Sequence, residues 1–281
     1  MLGAMLGDLV GSPYESRGLF APSPQTIDLW PILAEYTDDT VLTAAVARWC
    51  LDGGDLAPLL HEFGNAHLHR GYGGRFIEWL LADTPPPPYG SWGNGSAMRV
   101  SPVALWADSL NEVEDLAAQS ALPTHDHPKG IRGAQVAAWA TRHALEHQDR
   151  RALARDVETR FGYPIRAFDP LAVRAEGFQI ECEATVLAAL WCAICGQTWE
   201  GSLRLVLALG GDTDTLGAIA GAIAEGLYGV PPHGLEQLGL RFTRPNRIWP
   251  TLSEFYHHPK VAARLKAWNR WPEGSWSIPV D

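Results

Sequence analysis

The chain has 281 residues, 46% of them hydrophobic, and a formal net charge of −10. That apolar content suffices for a sizeable core and excludes a disordered chain, and no basic stretch is dense enough to follow a phosphate backbone, which excludes nucleic acid as a main partner. No apolar run reaches the length of a membrane span and no charged-then-apolar leader opens the sequence, so the expectation is a cytoplasmic protein forming a single domain over residues 1–281.

Leu2 to Val10 reads as a short apolar helix whose glycines permit close packing, broken by Gly11-Ser12-Pro13. Asp8 is an acid within it, and Glu15 follows just past the break. Residues 16–35 carry three prolines and little periodicity, a loop. Tyr36-Thr37-Asp38-Asp39-Thr40 then runs into an apolar helix reaching Leu51. Leu56 to His69 is predicted as a second helix with Asp55 as its cap, and Gly73 to Leu81 as a third. Pro85 to Pro88 ends it, because consecutive prolines cannot continue a helix and favour an extended path.

Gly90 to Arg99 is a glycine-rich loop whose backbone N–H groups can approach an anion closely, with Arg99 adding a fixed positive charge. It matches neither the Walker nor the dinucleotide fingerprint. Glu112 to Ala121 is helical. His125 and His127 lie in the loop before a long helix from Ile131 to His147, and a hydrogen-bonding role suits one of them better than metal ligation. Arg150 to Thr159 reads as a solvated helix, and Phe161 to Gln179 as irregular chain covering one mouth of a site. Ile180 to Cys195 is a buried helix, and its Cys192 and Cys195, without a second pair or a histidine nearby, read as small buried hydrophobes. Trp199 to Leu209 follows. Beyond Pro231 the chain reads as Pro- and Trp-rich loops with short helices, such as Pro250 to His257 and Lys260 to Trp268. No stretch alternates as a strand, so the fold class is all-α.

Two stretches carry the chemistry. Gly210-Gly211-Asp212-Thr213-Asp214-Thr215 opens a helix of small apolar residues, and Thr37-Asp38-Asp39-Thr40 repeats the idea near the N-terminus. Asp and Thr are good N-caps, but one residue satisfies a helix end and here each end has two acids flanked by hydroxyls. Ionised carboxylates at a buried helix are costly unless paired, and no Lys or Arg lies between Leu205 and Arg241 to pair with them. Asp38, Asp39, Asp212 and Asp214 with Thr37 and Thr215 make an all-oxygen donor set suited to Mg²⁺ or Mn²⁺. More than three carboxylates in one place suit two ions, which together can hold vicinal hydroxyls and polarise a water. Glu15 is then a free carboxylate for general acid/base work. Asp212-Thr213-Asp214 also resembles the D-x-D of aspartyl-phosphate phosphatases, but a Gly-Gly break precedes it where that motif needs a strand, and Leu216 stands where it needs Thr or Val.

Taken with Gly3 to Glu15, Gly93-Asn94-Gly95-Ser96-Ala97-Met98-Arg99 and Thr124-His125, these blocks resemble the ADP-ribosylglycohydrolase family, of the dinitrogenase-reductase-activating glycohydrolase type. The blocks run in order from the chain start to about Gly229. The resemblance implies a compact, single-domain orthogonal helical bundle with a central dinuclear Mg²⁺ or Mn²⁺ cleft. Carried over by position, Thr37, Asp38, Asp39, Asp212, Asp214 and Thr215 would be the metal ligands, and Glu15 and Asp39 the catalytic carboxylates. Gly93, Asn94, Gly95 and Ser96 would hold the diphosphate of ADP-ribose, with His125 beside them. Apart from the resemblance, Tyr89 and Trp92 have rings that can stack on adenine, but in a chain with twelve tryptophans the core or the rim is the commoner place for one. The implied activity is cleavage of the C1″ glycosidic bond in ADP-ribosylated arginine, serine or small molecules, releasing ADP-ribose. A non-catalytic ADP-ribose binder is the alternative, and the intact acidic set favours the enzyme.

Overall fold

In a computed structural model of the protein, residues 1–15, 27–241 and 247–269 are described. The expected wall of the cleft over Arg17 to Glu35 lies in its first part outside the described residues. Among the described residues there are sixteen α-helices and no β-strand, only one isolated bridge between Gly93 and Glu181. In chain order the helices are α1 Leu2–Gly11, α2 Asp38–Asp52, α3 Leu56–Asn65, α4 Gly74–Leu80, α5 Gly95–Met98, α6 Ser101–Trp106, α7 Leu110–Ala121 and α8 Pro128–His147. They continue with α9 Arg150–Phe161, α10 Pro170–Glu176, α11 Cys182–Cys195, α12 Trp199–Leu209, α13 Thr213–Tyr228, α14 Pro232–Arg241, α15 Ile248–His257 and α16 Pro259–Ala267. None is long and apolar enough to cross a membrane.

The centre of the fold is the pair α1 and α13. Every residue of α1 is buried, as are Thr213 to Leu227 of α13, so both helices are apolar nearly all round. They run antiparallel on a ladder of glycines. A Cβ on Gly3 would lie 2.2 Å from the Gly221 carbonyl oxygen, one on Gly7 1.9 Å from the Gly217 oxygen, and one on Gly11 2.1 Å from the Thr213 oxygen. No side chain fits between these backbones. The ladder fixes the register, and the register brings the end of α1 to the start of α13. One hydrophobic core then runs from α1 through α2, α8, α11, α12 and α15.

Several boundaries differ from the sequence reading for local reasons. α2 begins at Asp38 because the Thr37 hydroxyl accepts from the Asp39 amide and caps it. α3 stops at Asn65, four residues before His69, where the Asn65 side chain turns to the carbonyls of His61 and Leu80. α8 starts at Pro128, whose fixed φ suits a first turn, under a cap from His127 to the Lys129 amide. Residues 161–179 are not wholly irregular: a 3₁₀ turn at Ile165–Ala167 and α10, capped by Asp169, lie within them. The Gly90 to Arg99 loop likewise contains the single turn of α5, and α14 is a further short helix beyond Pro231.

Candidate metal centre and cleft

The two acidic helix starts meet in one cavity of ≈ 400 Å³ lined by Glu15, Asp38, Asp39, Asp212 and Asp214 on one side and by Gly93, Gly95, Arg99 and His125 on the other. Tyr89, Arg75 and Phe76 add an aromatic and basic wall, and Phe178 and Ile180 form an exposed apolar lip. Phe178 is the residue of 161–179 that lines the cavity.

Local geometry decides between caps and ligands. At α2 the cap is Thr37, leaving the Asp38 and Asp39 carboxylates free of that duty. At α13 the N-cap position is Asp212, yet its side chain makes no capping hydrogen bond. Gly210 and Gly211, both left-handed with φ of 75° and 82°, turn the chain so sharply that this carboxylate points into the cavity instead. There its Oδ2 accepts from the Asn94 side-chain amide at 2.8 Å. Asp214 accepts from the amide of its neighbour Thr215 at 3.0 Å.

Carboxylate oxygens of Glu15, Asp212 and Asp214 all lie within 4.8 Å of one another. Asp39 Oδ2 accepts from the hydroxyls of Thr37 at 3.3 Å and Thr215 at 3.4 Å, joining the two helix starts, and its buried Oδ1 has no partner. Burial first, and then the negative neighbours, hold the Asp38, Asp39 and Asp214 carboxyls well above the usual carboxylate range. Glu15 sits at the exposed rim with its carboxyl turned inward, and partial burial followed by Asp212 and Asp8 raises its pKa as well. The N-termini of α2 and α13 both face the cluster and offset part of its charge. Crowded oxygen donors, an orphaned carboxylate oxygen and hydroxyls within reach fit a hard divalent cation.

Asp8 is a residue whose importance the sequence reading missed. It is fully buried, and its two oxygens accept from the Thr37 amide and hydroxyl and from the Thr40 amide and hydroxyl. It thereby pins the acidic start of α2 to α1, although burial pushes its pKa to about 6 against those hydrogen bonds. A lone acid inside an otherwise apolar helix was the available signal.

The opposite wall is more mixed. Gly93 and Gly95 line the cavity, and Asn94 holds Asp212 with the same amide that reaches Thr185 Oγ1 at 3.3 Å. Ser96 is fully buried, donates to the Gly130 carbonyl at 2.8 Å and is not among the lining residues. His125 is buried against Gly95, where an added Cβ would meet its Nε2 at 2.9 Å. Tyr89 lines the cavity, with its ring centroid 6.3 Å from that of His125, whereas Trp92 is exposed outside it. Cys192 is fully buried and Cys195 partly so, and neither is in a disulfide.

A family model described as ADP-ribosylglycohydrolase matches residues 1–265. The ADP-ribosylhydrolase ARH3 of Bos taurus is 26% identical over 314 residues, covering 82% of this chain and 84% of that protein. The ADP-ribosyl-(dinitrogen reductase) glycohydrolase of Rhodospirillum rubrum is 28% identical over 279 residues, covering 88% and 91%. A solved structure of an ADP-ribosylglycohydrolase-related protein complex shares the fold, with a TM-score of 0.64 at 24% identity over 96% of this chain and 95% of that one.

Proposed function

This chain belongs to the ADP-ribosylglycohydrolase family, and from that premise we propose that it is a metal-dependent hydrolase releasing ADP-ribose by cleaving the C1″ glycosidic bond. Its substrates on this reading are ADP-ribosylated arginine or serine side chains, or ADP-ribosyl small molecules. The observation that carries the reading is the convergence of Glu15, Asp212 and Asp214 within 4.8 Å of one another in a cavity that Asp38 and Asp39 also line. The relatives named for hydrolysis of ADP-ribosyl groups support the substrate class.

Thr37, Asp38, Asp39, Asp212, Asp214 and Thr215 would hold two Mg²⁺ or Mn²⁺ ions. When bound, such ions neutralise the carboxylate cluster and supply an electrophilic grip on hydroxyl oxygens. The protein's own groups do the rest. Glu15, at the rim and free of a hydrogen-bond partner among the described residues, takes the proton from the attacking water. Asp39 faces the reacting sugar and stabilises the positive charge that develops at C1″. The Gly93 to Gly95 turn and His125 receive the diphosphate, and Tyr89 presents its ring to the base. Ser96 serves this wall from behind, through Gly130.

The test is multiple-turnover release of free ADP-ribose from arginine- and serine-linked peptides, with and without a chelator and with Mg²⁺ or Mn²⁺ restored. Release on at least one linkage that stops with chelator supports the reading. Stoichiometric binding without release would replace the enzyme by a non-catalytic ADP-ribose binder.

A further inference from the structure

Arg99 is fully buried and forms no ion pair among the described residues, an expensive arrangement for a guanidinium. One of its nitrogens, Nη2, donates to the Ser120 carbonyl at 2.9 Å and to the Thr124 hydroxyl at 3.0 Å. Thr124, itself fully buried, lies with that hydroxyl 2.7 Å from Nδ1 of His125. His125 Nε2, on the far side of the ring, has no hydrogen-bond partner among the described residues and faces the cavity beside Gly93 and Gly95.

The protons along this chain can be placed by elimination. A guanidinium only donates, so Thr124 Oγ1 accepts from Arg99. The hydroxyl proton of Thr124 then needs an acceptor, and His125 Nδ1 is the one within reach. Were Nδ1 protonated, the buried hydroxyl proton of Thr124 would go unsatisfied, which is costly. Nδ1 is therefore the acceptor, and the ring proton of the neutral imidazole sits on Nε2.

We propose that Arg99 and Thr124 are positioning residues that fix His125 as a neutral Nε2–H donor aimed at the bound ligand beside the Gly93–Gly95 turn. The ligand part of this proposal rests on the ADP-ribose reading, and the acceptor it serves is a diphosphate oxygen. His125 is then a fixed hydrogen-bond donor, not a proton carrier. The surroundings agree: Arg99 from behind, Arg75 from α4 and Tyr89 are the charged and titratable groups facing the ring, and burial with the two arginines holds its pKa well below 6.5. Gly95 leaves the space the ring occupies, since a Cβ there would lie 2.9 Å from Cε1 and Nε2.

The experiment is long-range ¹H–¹⁵N correlation spectroscopy of the histidine rings, with His125 assigned by the His125→Gln variant. In the ligand-free wild type at neutral pH, Nδ1 is expected at an unprotonated shift and Nε2 at a protonated one. Thr124→Val should break this pattern and weaken ADP-ribose binding about 10-fold or more, as expected for losing a hydrogen bond to a charged group, and Thr124→Ser should restore both. A wild-type ring protonated on Nδ1, or a pattern unchanged in Thr124→Val, overturns the relay. The wild-type spectrum decides even where Thr124→Val does not fold. An Nε2–H tautomer whose shift does not respond to saturating ADP-ribose keeps the relay and overturns the ligand, so the two failures are distinguishable.

Discussion

The side-chain amide of Asn94 donates to Oδ2 of Asp212 at 2.8 Å, across 118 residues of sequence. One residue of the glycine turn thus orients a member of the acidic cluster. The glycine-turn wall and the carboxylate wall are mechanically one unit, because whatever moves the turn moves Asp212.

Asn94→Ala is therefore expected to weaken Mg²⁺ or Mn²⁺ binding by about 10–100-fold, the usual effect of removing a hydrogen bond that orients a metal ligand. Calorimetric titration of metal into chelator-treated protein measures it. An unchanged metal affinity with weaker ADP-ribose binding would return Asn94 to a ligand-contacting role alone.

Asp39→Asn and Asp214→Asn should each lower the rate of ADP-ribose release by more than about 100-fold, since each removes a charge from a shared cluster. Glu15→Gln should lower kcat by about 100-fold or more while leaving substrate binding largely intact, the pattern of a lost proton acceptor. Steady-state kinetics separate the cases, and a loss below threefold in any of them contradicts the role assigned.

Asp8→Asn replaces one acceptor oxygen with a donor facing the amides and hydroxyls of Thr37 and Thr40. Two donors then confront each other in a buried site, a defect worth about 1–3 kcal/mol. The expected result is reduced stability by denaturant titration together with weaker metal binding, because the start of α2 loses its tie to α1. Normal metal affinity in a destabilised variant would limit Asp8 to the core.

The pH dependence of stability has a definite sign. Asp8 is raised from 3.8 to about 6, and Asp38, Asp39 and Asp214 are raised well above their ordinary value by burial and mutual repulsion. For a raised carboxyl the folded state binds more protons than the unfolded one, so stability falls as pH rises from about 4 through 6 and beyond. His125, lowered by burial and the arginines, works the other way and loses stability as pH drops below its ordinary 6.5. Glu15 is raised as well and His67 and His143 are lowered like His125, so five raised carboxyls outweigh three lowered imidazoles. Metal-free protein should melt several degrees lower at pH 7.5 than at pH 5, and excess Mg²⁺ or Mn²⁺ at pH 7.5 should recover most of the difference. A Tm that rises with pH in chelator would contradict this account of the cluster.

Gly7→Ala should cost about 3 kcal/mol or more, because its methyl would lie 1.9 Å from a carbonyl oxygen of α13 and only backbone movement can relieve the clash. Gly239→Ala in α14, where a Cβ meets nothing within 4 Å, should be neutral or slightly stabilising. Denaturant midpoints compare them directly, and equal effects would show that the α1–α13 ladder is not close-packed.

The sequence by itself determined the helical class, the positions of most helices and the residue types of the site, because these depend on local quantities. Apolar periodicity, prolines and capping residues act within a turn or two, and two hydroxyl-flanked acidic pairs exceed what helix ends require wherever the helices lie. The resemblance to the family was legible for the same reason, since its blocks are short and ordered. Local rules did not place Asp8 under Thr37 and Thr40, turn Asn94 onto Asp212, or bury Ser96 behind the cavity. Nor did they link Arg99 through Thr124 to His125. Those are contacts between side chains far apart in the chain, and only the tertiary structure decides them. The physical cause lies in the glycine ladder: Gly3, Gly7 and Gly11 let α1 meet the backbone of α13 at one register. That single register carries Glu15 to Asp212 and Asp214.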